Sequence, residues 1–246
     1  KILKKKNKSK IVSLTAYSKN ISKILDKYCD IVLVGDSMAN VLYALKDTHK
    51  ISLKNIIQHT LSVKKGIKKS LLVVDMPKGT YSNKKIAKKN AKDILSKTKC
   101  DAVKIESNNK NFDIISELVN VKIPVMGHIG YTPQFKKKFK IEGGTKQQAN
   151  KLLQEARLIE KAGAFSIVLE CVAPHASKLI SEGIGAGLVH LPNHKYTAFK
   201  EYDTCLPGTK EFSDHQISLP CGWWLTKENC EYIASRVNTL SNQVIN

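Results

Sequence analysis

The chain has 246 residues and a mass of 27.4 kDa, which fits one large domain, or one domain with a small appendage, since single cores reach ~250 residues. Hydrophobic residues at 42% and charged residues at 25% exclude wholesale disorder, and no apolar run approaches the ~18 residues that span a bilayer. The net charge of +20 rests on scattered lysines, with Arg157 and Arg236 the only arginines; this favours a solvated coat that attracts small anions over a nucleic-acid reader, which groups arginine forks with aromatics.

The basic start, KILKKKNKSK, leads into no signal-peptide apolar core. Short apolar runs then alternate with lysine-rich amphipathic stretches. IVSLTAY (Ile11–Tyr17) precedes SKNISKILDKYC, and IVLVGD (Ile31–Asp36) precedes a helical pattern over Ser52–Lys69. LLVVDMP (Leu71–Pro77) is followed by a helix through Asn83–Thr98, and AVKIE (Ala102–Glu106) by one through Asn111–Asn120. PVMGHIG (Pro124–Gly130) precedes the clearest amphipathic helix, Thr145–Gly163, and FSIVLEC (Phe165–Cys171) closes the series. Six cysteines stand far apart with no CxxC pair, which argues against a zinc ribbon or disulfide scaffold and points to a reducing cytoplasm.

Six βα units with strands apolar on both faces imply a parallel sheet covered by helices, either doubly wound or a (β/α)8 barrel. Asp36, Asp75, Glu106 and Glu170 each stand at or just past the C-terminal end of a different strand. A barrel gathers such ends round one mouth, so the barrel is the expected fold.

The acids have plain alternatives, and these stay open on the sequence. Asp36 and Asp75 could each cap the turn that follows. Lys104 and Glu106, two apart in a strand, face the same way and form either a buried structural pair or part of a site. Glu170 ends an apolar strand, where desolvation is expected to raise its pKa toward that of a useful general base; the alternative is a surface strand end. Converging carboxylates repel unless a cation sits among them, and oxygen ligands with open positions suit magnesium rather than zinc. His128 is read as a hydrogen-bond donor to substrate or backbone rather than a metal ligand.

KIVSLTAY, VGDS, His59–Thr60, VVDMP with GTY, AVKIE, PVMGHIGYTPQ and AGAFSIVLECV occur in an order and spacing that resemble the ketopantoate hydroxymethyltransferases over residues 9 to 180. The resemblance implies a (β/α)8 barrel in which Asp36, Asp75 and Glu106 surround Mg2+, the two aspartates most directly. It implies that Ser37, Asp75 and Lys104 hold the α-keto acid, that Glu170 accepts the proton, and that 5,10-methylenetetrahydrofolate is the co-substrate. The implied assembly is a homo-oligomer, a decamer in the family. Lys78, Ala39, Asn40 and Ser18 depart from the family pattern around the pocket wall.

The resemblance fades where strands seven and eight are expected. LISEGIGAG (Leu179–Gly187) brings the glycines without an apolar strand before them, and HQISLPCGWWLTKENCEYI (His215–Ile233) resembles the C-terminal end of PLP-dependent sugar aminotransferases. The chain is therefore divided into a catalytic barrel at 1–182 and a foreign α/β segment at 183–246. LVHLP (Leu188–Pro192) and QISLP (Gln216–Pro220) are candidate strands for the uncovered edges. Two alternatives remain: a phosphoenolpyruvate mutase or isocitrate lyase-like enzyme acting on a carbon–carbon bond, and a truncated non-catalytic product.

Overall fold

Residues 11–107 and 110–184 are described here from a computed structural model. The elements run β1 (Ser13–Thr15), α1 (Lys19–Leu25), β2 (Ile31–Val34), α2 (Met38–Val41), α3 (Leu53–Lys64), β3 (Leu71–Asp75), α4 (Lys84–Thr98), β4 (Ala102–Glu106), α5 (Phe112–Asn120), β5 (Val125–Gly130), α6 (Lys146–Lys161), β6 (Ser166–Glu170) and α7 (Pro174–Ile184). A 3-10 turn at Thr48–Lys50 follows α2.

Local chemistry sets the helix starts. The Asn83 side chain accepts from Ile86 N ahead of α4, and Thr145 forms a capping box with Gln148 ahead of α6. Ser52 and Asn55 cap α3 in the same reciprocal way. That helix stops at Lys64, short of the predicted Lys69, because the next segment has another partner. The buried carboxylate of Asp26 accepts hydrogen bonds from the backbone N–H groups of Lys68, Lys69 and Ser70, which turns the chain into β3.

The sheet is parallel throughout, in the order β1-β2-β3-β4-β5-β6. Alternation then sorts each strand into two rows. Val32, Val34, Leu72, Val74, Val103, Ile105, Val125 and Ile129 join one core cluster with apolar residues from the helices, such as Ile56, Ile94, Ile115 and Ile159. Burying each such side chain is worth about 1.5–3 kcal/mol. The other row (Ile31, Leu33, Leu71, Val73, Ala102, Met126, Val168) forms a separate cluster made of strand residues and their flanks, Ile11 and Phe165, with no helix residue in it. Helices on one face and sequential strand order are the winding of a barrel; a doubly wound sheet carries helices on both faces and reverses its order at the middle.

Inner strands and outer strands differ in burial. Every residue of β4 and β5 is buried, whereas β6 is half-buried along its length and Leu14 of β1 is exposed. Among the described residues β1 and β6 each have one neighbour, so the sheet there is an open six-stranded arc of the barrel type. The segment from residue 185, including LVHLP, QISLP and the aminotransferase-like run, lies outside the described residues.

Candidate active site

The inner row changes character toward the C-terminal ends of the strands. In β3, Leu71 and Val73 give way to Asp75; in β4, Ala102 gives way to Lys104 and Glu106; in β5, Met126 gives way to His128. Register places these groups side by side, with Asp75 opposite Lys104 and Glu106 opposite His128. Glu170 of β6 pairs with Gly130, two residues beyond His128 and so on the same face. Asp36 follows β2 and reaches the cluster through its backbone N–H, which donates to Asp75 Oδ2 at 3.1 Å.

Hydrogen bonds across the sheet engage both aspartates. Asp75 accepts from Lys104 Nζ at 2.8 Å and from Asp36 N, and Asp36 accepts from Gln134 Nε2 at 2.8 Å. Helix α2 opens at Ser37 with no side-chain cap, so the Asp36 carboxylate is not spent on that turn. The ion-pair partner of Lys104 is Asp75 rather than Glu106. Asp36, Asp75, Lys104, Glu106 and His128 are all buried.

Burial sets the electrostatics. Desolvation, with repulsion from Asp75, pushes the Asp36 carboxyl up to about 7 against the pull of Lys104 and Gln134. Desolvation also pushes Glu106 up to about 9, with Asp36 and Asp75 adding to it and Lys104 opposing. Burial alone would lower Lys104, but Asp75, Glu106 and Asp36 together hold it above the ordinary lysine range, so it stays an ammonium. Three carboxylates share that one ammonium.

His128 links this cluster to Glu170. Its Nε2 lies 3.2 Å from Glu170 Oε2 and its Nδ1 3.8 Å from Glu106 Oε1. Desolvation and the Lys104 charge depress the imidazole below its usual range, which keeps it neutral. The expectation that burial raises the Glu170 pKa is corrected. Its side chain is 42% exposed, because β6 is an edge strand of the described sheet, and contact with His128, then Lys104, outweighs desolvation and lowers it. The carboxylate at this position is ionised.

Ser37 is exposed beside the cluster, its Oγ 2.7 Å from the Tyr17 hydroxyl. His59, in the His59–Thr60 segment, bonds through Nδ1 to Tyr17 O and through Nε2 to the Tyr43 hydroxyl. Lys78, a departure from the family pattern, lies against both ring nitrogens of His49 at 3.3 and 3.2 Å. Gln134 was not singled out on the sequence, yet it touches two of the carboxylates, since its backbone N–H also donates to Glu106 Oε2 at 2.9 Å. Its neighbourhood is entirely long-range, and the only local signal was a polar residue closing GYTPQ.

Among the described residues no three or more His, Cys, Asp or Glu side chains are grouped so that together they could hold a metal ion. The donor set still has the chemistry that suits a hard divalent cation: buried oxygen atoms on three carboxyl groups beside a single ammonium. Such an ion held by one or two carboxylates and retaining water needs no cage. Asp36 and Asp75 are the adjoining pair that fits, with Glu106 turned toward Gln134 and His128. No helix among the described residues is long and apolar enough to cross a membrane.

Known proteins resemble this chain along most of its described length. Residues 1–189 match the family model for ketopantoate hydroxymethyltransferase. A 3-methyl-2-oxobutanoate hydroxymethyltransferase of Pelagibacter ubique (strain HTCC1062) is 52% identical over 193 residues, covering 76% of this chain and 75% of that protein. That of Campylobacter curvus (strain 525.92) is 41% identical over 182 residues, 73% of this chain and 68% of its own. Among solved structures, 2,3-dimethylmalate lyase, a PEP mutase/isocitrate lyase superfamily member, superposes with a TM-score of 0.57 at 11% identity over 95% of this chain and 89% of its own. Phosphonopyruvate hydrolase with oxalate and magnesium gives 0.54 at 11% identity over 96% and 93%. At such identity these two structures bear on the fold alone.

Proposed function

The chain belongs to the ketopantoate hydroxymethyltransferase family, and we infer that it transfers a hydroxymethyl group to 3-methyl-2-oxobutanoate to give ketopantoate, a step of pantothenate synthesis. The observation that carries the reading is the inner-face row in which Asp75, Lys104, Glu106 and His128 stand side by side, with an ionised Glu170 at its end. The one-carbon donor we propose is 5,10-methylenetetrahydrofolate.

The substrate is an anion with an acidic C3–H next to a ketone. We assign Lys104, with Ser37, to holding its carboxylate and keto oxygens, because Lys104 stays cationic in a site with little water to screen it. Asp36 and Asp75, with Glu106 behind them, would hold Mg2+. Bound there, the ion would supply Lewis acidity to the substrate. Glu170 takes the C3 proton, and the electron pair moves onto the carbonyl oxygen. As the pair returns, C3 bonds to the folate-borne methylene carbon; both of that carbon's bonds to folate nitrogens break in turn, water supplies the hydroxyl oxygen, and the two nitrogens take up the proton held by Glu170 and the one left by the water. The neutral His128 imidazole beside Glu170 keeps the carboxylate aimed into the row.

The experiment is hydrogen exchange without folate. The full-length protein is incubated with 3-methyl-2-oxobutanoate and Mg2+ in heavy water while the C3 proton signal is followed. Magnesium-dependent loss of that signal is expected, slowed about 100-fold or more in Glu170→Gln. No exchange from a folded, magnesium-loaded sample would overturn the reading in favour of a non-catalytic product. A homo-oligomer is also proposed, supported by apolar side chains exposed on α1, α2 and α3 (Ile21, Ile24, Val41 and Leu61), and is read by size-exclusion chromatography with light scattering.

A further inference from the structure

Gln134 is 2% exposed, and each polar atom of its side chain is engaged. Oε1 accepts from the Tyr81 hydroxyl, and Nε2 donates both to Asp36 Oδ2 at 2.8 Å and to Met76 O at 3.0 Å. The Met76 carbonyl can only accept, and so can an ionised Asp36. The amide therefore has one workable orientation, with Nε2 toward the acid, and the Tyr81 hydroxyl on the far side closes it. Meanwhile the backbone N–H of the same residue holds Glu106 Oε2 at 2.9 Å. One residue of the β5–α6 segment thus fixes one oxygen on each of two carboxylates that leave different strands, while the Thr48 side chain also lies against Asp36 and Glu106 Oε1 faces His128 Nδ1 at 3.8 Å.

A glutamine that only filled space would not need both amide hydrogens on acceptors from two other segments. Here the donors fall on the acids that most need them, because Asp36, Asp75 and Glu106 repel one another at close quarters. We propose that Gln134 is a positioning residue, holding Asp36 and Glu106 in the orientation that receives a hard divalent cation. The proposal rests on the metal reading given under Proposed function.

The test is Mn2+ binding to the full-length, substrate-free protein, with free Mn2+ read by electron paramagnetic resonance. Gln134→Leu keeps the volume and the backbone N–H but removes the amide, and it is expected to bind Mn2+ about tenfold more weakly or worse, the range for an outer partner of a metal ligand. Tyr81→Phe removes only the lock on the amide and is expected to lose affinity in the same direction by a smaller factor. In C3 exchange, the Mn2+ concentration for half-maximal rate should rise more than the saturated rate falls, a split that a general loss of folding does not produce. Wild-type affinity in both variants overturns the proposal. If Gln134→Leu does not fold, unchanged affinity in Tyr81→Phe overturns it alone. A wild-type protein that does not bind Mn2+ sinks the metal reading itself, whereas wild-type binding with unaltered variants sinks the positioning role only.

Discussion

Lys104 Nζ donates to Asp75 Oδ1 at 2.8 Å where the two side chains are 7% and 6% exposed, which makes this the most deeply enclosed lysine–carboxylate pair among the described residues. Removing one member of a buried pair costs about 3–5 kcal/mol, mostly for the stranded partner. In this site the stranded charge has company, since Asp36 and Glu106 depend on the same ammonium. Lys104→Met is therefore expected to lose about that much stability in urea unfolding at pH 8, with part of it restored by Mg2+. At pH 5, where Asp36 is protonated as Glu106 already is, the loss should shrink. A variant equally destabilised at both pH values would show that Lys104 is felt through packing rather than charge.

The same acids predict how the metal-free wild type responds to pH. Asp36 and Glu106 have folded-state pKa values near 7 and 9, above their unfolded values, so the folded state binds more protons. Their contribution is fully present below the unfolded values and is lost as pH rises through 7 and then 9. Metal-free protein should thus lose on the order of a few kcal/mol between pH 5 and pH 9 in urea unfolding. Saturating Mg2+ should flatten that slope, adding about 2.7 kcal/mol at a hundred times its dissociation constant. A metal-independent slope would separate the acids from the cation.

What was legible in the chain follows from which interactions are local. Strands announced themselves as apolar runs, and Asn83 and Thr145 mark helix starts because a cap is a contact within three residues. The row of Asp75, Lys104, Glu106 and Glu170 was readable because the period of two and the strand-end position suffice to place it. Asp26 was not, because this residue at the end of α1 meets the segment after α3 from 42 to 44 residues away along the chain. Gln134 escaped for the same reason, as did the exchange of partners that pairs Lys104 with Asp75 instead of its own strand neighbour. The lowered Glu170 pKa was not legible because desolvation is visible in an apolar run, whereas a histidine contributed by the adjacent strand is not.

Packing between β5 and α6 depends on Gly127, which faces the helix layer one residue before His128. A Cβ built there would lie 2.5 Å from Ile159 Cγ2, a distance real Cβ atoms do not show. Gly127→Ala is expected to cost about 1–3 kcal/mol by overpacking and to displace His128 with it. Gly127→Ala combined with Ile159→Ala removes the opposing methyl group, so the double variant should be less destabilised than the two separate losses add up to. Additive losses in thermal or urea unfolding would mean that the strand, not the isoleucine, resists the change.

His128 offers the sharpest test of how Glu170 is kept ionised. Burial on its own pushes that carboxyl up, and contact with His128 is the first influence that brings it down, with Lys104 after it. Replacing His128 by leucine removes the contact while keeping the site dry, so the Glu170 pKa should rise. Magnesium-dependent C3 exchange requires the ionised form, and its acid limb should therefore move to higher pH in His128→Leu. The plateau should also fall, about tenfold or more, because an unanchored base spends less time aimed at the proton. The imidazole is itself depressed by burial and by Lys104, so the wild-type profile should carry no limb from its protonation near neutrality. An acid limb that stays in place in His128→Leu, with only the plateau lowered, would assign His128 to substrate alignment and leave Lys104 as the group that keeps Glu170 charged.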